Sequence, residues 1–95
     1  MMHTPPHPGQ LVRQVIEDFA ITVTKASELL GVSRQQLTRL IGEQSSVSPE
    51  MALRLEAVFG STADTWLAMQ RAWDLAQVRK RADSIVAGLK RLDAA

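Results

Sequence analysis

The chain has 95 residues, 11 Lys+Arg against 10 Asp+Glu, no cysteine, and 45% apolar residues. That length suits one small domain burying about 60–65% of its unfolded surface, too little to enclose a deep catalytic cleft. The absence of cysteine excludes disulfide stapling, thiolate chemistry and Cys-based zinc sites. The near-neutral total charge gives no general pull toward nucleic acid, so any such surface has to come from where the charges sit.

Residues 1–7 read as an extended lead-in. Pro5, Pro6 and Pro8 remove backbone donors and disfavour helix before each of them. His3 and His7 are four apart, but the prolines deny them a shared helical face, so a flexible terminus is expected rather than a metal pair. The start carries neither a basic stretch nor an apolar core of a leader sequence, and no apolar run approaches the roughly 18 residues of a membrane span. The expected location is the cytoplasm, with no membrane partner and no cofactor.

From Pro8 onward the pattern is helical. Leu11, Val12, Val15, Ile16 and Phe19 share one face of a first helix, with Arg13, Gln14, Glu17 and Asp18 opposite. Thr22 caps a second helix, which turns Ala26, Leu29 and Leu30 inward and stops at Gly31. Ser33 caps a third, with Leu37, Leu40 and Ile41 inward and Gly42 as its stop. Ser48-Pro49-Glu50 opens a fourth that runs to Phe59 and carries Met51, Leu55, Val58 and Phe59 as core. Ser61 or Thr62 caps the last, from about Ala63 to about Leu92. Nothing alternates as a strand does. The expected fold is all-α with five helices, the last one long.

The stretch Val23–Gly42 is the informative one. Two short helices flank Gly31-Val32-Ser33, and Ala26, Leu30, Val32, Leu37 and Leu40 are spaced to clamp them at a steep angle. This is a helix-turn-helix pattern, which lays its second helix in the major groove of DNA. That helix offers Arg34, Gln35, Gln36, Thr38 and Arg39, and no acid from Ser33 to Gly42. Arg pairs with guanine, Gln with adenine, and a Thr methyl touches the thymine methyl. Gln35, Gln36 and Arg39 are the base-reading candidates, with Arg34 on base or phosphate. Lys25, Ser33 and Ser46 are placed for phosphates. Up to residue 60 there are five cations against six carboxylates, so a monomer's DNA surface is weak and a dimer is expected. An inert helical pair remains the alternative reading of the pattern.

Other residues point to structure. Trp66 and Trp73 lie seven apart and are expected to seal the last helix onto the bundle, a partner contact being the alternative. Glu50 and Arg54 make an exposed ion pair along one helix. Glu17 and Asp18 are adjacent and do not face each other, and no nucleophile–base pair or phosphate-cradling loop exists, so no enzyme is expected. Leu75, Val78, Ala82, Ile85, Leu89 and Leu92 step by three and four as a heptad-like stripe. A stripe that outlasts the core is expected to pair with a second subunit, packing on its own bundle and binding another protein being the alternatives.

Residues 7–75 resemble the HigA family of antitoxins, within the Cro/CI-type, lambda-repressor-like helix-turn-helix class. The resemblance rests on His7-Pro8-Gly9 and Leu11, on Ala26 and Leu30-Gly31-Val32-Ser33-Arg34-Gln35, and on Val47-Ser48-Pro49-Glu50-Met51-Ala52-Leu53-Arg54-Leu55. Phe59-Gly60, Trp66-Leu67, Gln70 and Asp74-Leu75 complete it. It implies operator DNA bound as a homodimer, autorepression, and a RelE-like toxin, an mRNA endonuclease, as the protein partner. The related GraA antitoxins share the architecture. Ser27 stands where the family usually has Ala, which either costs some packing or turns its hydroxyl to a backbone carbonyl. Residues 76–95 extend past the matched part as a dimerisation element. A regulator without a toxin, or a protein-only helical adaptor, is the competing function.

Overall fold

The computed structural model describes residues 4–93. His3, and Ala94–Ala95 at the end of the 76–95 extension, lie outside the described residues. Among those described there are six helices and no strand: α1 (Pro8–Asp18), α2 (Val23–Leu30), α3 (Arg34–Ile41), α4 (Pro49–Phe59), α5 (Ala63–Arg79) and α6 (Ala82–Val86).

Local chemistry starts most of them. Hydroxyl oxygens of Thr22, Ser33, Ser48 and Thr62 accept the N–H of Lys25, Gln36, Met51 and Thr65 at 3.0, 3.0, 3.1 and 3.0 Å. Pro49 sits in the first turn of α4, where its missing N–H costs nothing. Helix α1 starts differently. His7 Nδ1 accepts the N–H of Gly9 at 2.9 Å, and the imidazole is buried edge-on against Trp73, centroids 4.8 Å apart. His7 is thus a cap and part of the interior, not a flexible terminus.

The first three helices end on Schellman turns, in which paired N–H groups return to the last carbonyls. Ile21 and Ala20 donate to Ile16 and Glu17, Val32 and Gly31 to Ser27 and Glu28, and Gln44 and Glu43 to Arg39 and Leu40. The left-handed residues are Ala20 (φ 54°), Gly31 (φ 70°) and Glu43 (φ 62°). The third helix therefore reverses at Glu43, one residue beyond the expected Gly42, which keeps φ −80°.

Val12, Ile16, Ala26, Leu30, Leu37, Leu40, Val47, Met51, Ala52, Leu55 and Trp66 form one core. Gly9 lets α1 cross the end of α3, since a Cβ there would run into the Leu40 carbonyl. Ser27 is buried and donates to the Thr24 carbonyl at 2.7 Å, the second of the two outcomes open to a hydroxyl replacing Ala. Four residues expected inside are exposed: Leu11, Phe19, Leu29 and Val58. They lie at the edges of the apolar stripes, where the neighbouring helices no longer reach.

The last helix is shorter than its apolar period predicts. It stops at Arg79, turns at Lys80–Arg81, resumes as α6, and gives way to non-helical chain from Ala87 to Asp93. Three consecutive cations at 79–81 suit a helix C-terminus, and Asp83 in the first turn of α6 suits a start. Ser84 Oγ donates to the Arg81 carbonyl at 3.0 Å, within the new turn. Beyond Leu75 no core lies beneath the helix, and short helices without packing are marginal. The residues 75–92 stripe is consequently not one continuous helical seam. The molecule is elongated, 58 × 26 × 23 Å, with a radius of gyration of 16.9 Å. A compact chain of this length would have about 12 Å.

Candidate nucleic-acid interface

Helix α3 is anchored by Leu37 and Leu40, both buried, with Ile41 half-buried beside them. At about 100° per residue, the opposite side of the helix centres on Gln35 and Arg39, flanked by Thr38 and Arg34 on one side and Gln36 on the other. All five are exposed. Ser33, Gln35, Gln36 and Arg39 line a shallow polar hollow with Ser45. Gln36 reaches a second hollow shared with Ser45, Ser46 and Ser48. The α3–α4 loop thus sits beside the base-reading candidates, and Ser46 lines the hollow that Gln36 reaches. Ser45, not singled out beforehand, lines both hollows. Lys25 is exposed on α2 and lines neither hollow.

The electrostatics are local. Among the described residues the ion pair is Arg54–Glu50, at 3.0 Å, so Arg34 and Arg39 are committed to no carboxylate. Ser33 satisfies the N–H of Gln36, and the free N–H groups at the start of α3 add to the positive end of the helix.

Two residues shape this surface that spacing alone did not reveal. Arg54 pairs with Glu50 as expected, but it also donates to the Leu30 carbonyl at 2.9 Å and to that of Gly31 at 3.3 Å. It clamps the end of α2 at the turn that aims α3. Gln70 is buried on α5, accepts the N–H of Val47 at 2.8 Å, and donates to Asp74 at 2.9 Å. It pins the α3–α4 loop to α5. The pattern around Gln70 carried the family resemblance, but no local rule announces a side chain that caps a loop 23 residues away.

The Helix-turn-helix family model matches residues 12–66. An HTH-type transcriptional regulator of Escherichia coli strain K12, YddM, is 30% identical over 92% of this chain and 90% of its own. Antitoxin HigA-1 of Vibrio cholerae is 32% identical over 77% of this chain and 70% of its own. The structure of antitoxin GraA superposes with a TM-score of 0.88 at 29% identity, covering 96% of this chain and all of that one. GraA solved in complex with its operator gives 0.85 at 30% identity, over 98% of this chain and 95% of that one. These are regulators and antitoxins, not enzymes. The fold, the exposed face of α3 and these relatives agree, and the chain belongs to the helix-turn-helix family, among its HigA/GraA-type antitoxins.

Proposed function

We propose that this chain is the antitoxin and autorepressor of a type II toxin–antitoxin module, acting in the cytoplasm. It binds its operator as a homodimer and silences a RelE-like mRNA-interferase toxin by direct contact. The observation that carries DNA binding is the face of α3, where five exposed polar side chains stand on two buried leucines and, among the described residues, neither arginine is in an ion pair. Gln35 and Arg39 read base edges, Gln36 and Thr38 flank them, and Arg34 takes a base or a phosphate. Lys25, Ser33 and Ser46 hold phosphates. GraA, similar over nearly the whole chain, has been solved on its operator, which supports this use of the fold.

Charge supports the dimer. Up to Val78 the chain carries six cations against eight carboxylates among residues 4–78, a poor electrostatic match for a duplex when α3 acts alone. Two copies set two recognition helices about 34–36 Å apart, one turn of DNA. The dimer contact is assigned to Leu75, Val78, Ala82, Ile85, Leu89 and Leu92. All of them except half-buried Ala82 are exposed, Leu92 at 94%.

A mobility shift on the chain's own upstream DNA tests the reading. Replacing both Arg34 and Arg39 with Ala should weaken binding at least about tenfold, and binding should fall steeply with salt. Unchanged affinity of the double variant would remove α3 from the interface.

A further inference from the structure

The face of the domain built by the ends of α1, α2 and α4 carries a feature that DNA binding does not use. Phe19, Ile21, Leu29, Val58 and Phe59 line an open apolar cup of about 230 Å³, and none of them belongs to α3. Phe19 is 72% exposed and Leu29 48%. The cup is rigidly framed. The Schellman turn at Ala20 fixes Phe19 outward, while Ile21 and Phe59 rest against the core as its floor. A cluster of exposed large apolar side chains on a small domain marks an interaction surface.

Charge selects the occupant. Glu17 and Asp18 precede Phe19, Lys25 and Glu28 flank Leu29 on α2, and Arg54 and Glu56 precede Val58 on α4. Of the two cations, Arg54 is tied to Glu50 and the Leu30 carbonyl. The surroundings are therefore net acidic. Apart from Lys25 at its edge, the charges around the cup disfavour phosphates, and a second copy would bring the same carboxylates face to face. A basic protein presenting an apolar side chain fits both the cup and its rim.

We propose that this cup is the docking site for such a basic protein, and on the antitoxin reading given above, on which this inference rests, that protein is the toxin. The probe is the purified product of the neighbouring reading frame, titrated calorimetrically into the full chain. Three samples are compared: the natural chain, Phe19→Ser, and the Phe19→Ser/Leu29→Ser double variant. Unfolding curves and operator mobility shifts accompany each, and both exposed replacements should leave them unchanged. The expected result is a loss of affinity of tenfold or more for the double variant, with operator binding intact. Equal binding by natural and double-variant chains would overturn the cup as the docking site and leave the antitoxin reading standing. No binding by the natural chain would overturn both. Conversion of a dimer to a monomer by the double variant, read by sedimentation, would assign the cup to a second copy and overturn the proposal.

Discussion

At the scale of single residues, stability and site geometry meet at Gly31. Its φ of 70° is a conformation costing a non-glycine residue about 1–2 kcal/mol, and a Cβ there would stand 2.8 Å from Arg54 Nη1. Gly31→Ala should lower the unfolding midpoint in urea and weaken operator binding together, because it disturbs the turn that aims α3. Ala20 offers the opposite case. It holds φ 54° without being glycine, so Ala20→Gly should add about 0.5–1 kcal/mol, the relief of the left-handed penalty less the freedom glycine gains when unfolded. Chemical denaturation checks both signs. The hydroxyl caps Thr22, Ser33 and Ser48 and the reversal at Gly31 are legible in the sequence because each depends on neighbours three or four residues away. His7, Arg54 and Gln70 were not legible in these roles. The first packs its ring against Trp73, far along the chain, and the other two bind carbonyl and amide groups 24 and 23 residues distant. Glu43 took the reversal assigned to Gly42 because the helix ran one residue further than its glycine suggested.

At the scale of elements, the α2–α3 pair follows from spacing, since its apolar residues close on each other across a three-residue turn. The last helix does not. A periodic pattern states which side chains could share a face, whereas a helix persists in water only where something covers that face. Among the described residues the stripe from Leu75 to Leu92 is left largely uncovered, Ala82 alone being half-buried, and the cations at 79–81 end the helix there. Its apolar residues remain exposed on α5, α6 and the segment beyond. Deleting residues after Gln77 removes most of this stripe while leaving the core of residues 12–66 untouched. The shortened chain should stay folded, sediment as a monomer, and bind the operator with a lower slope against salt, since fewer phosphates are neutralised per complex. A truncated chain that remains dimeric would move the subunit contact elsewhere.

At the scale of the whole molecule, three surfaces point in different chemical directions. The face of α3 is polar and cationic, the cup at the ends of α1, α2 and α4 is apolar within acidic surroundings, and the arm beyond α5 is apolar and basic. Residues 79–93 hold five cations against two carboxylates, whereas residues 4–78 hold more acids than bases. On the proposed function, this separation keeps the surfaces assigned to the duplex, the protein partner and the second copy apart from one another. The central claim is that α3 is the part that enters the DNA. A structure of the protein on its own promoter fragment tests it most directly. The account predicts Gln35 and Arg39 within hydrogen-bonding distance of base edges in one major groove, with Ser46 against the adjoining phosphates. A complex in which α3 faces solvent while another surface grips the duplex would contradict it.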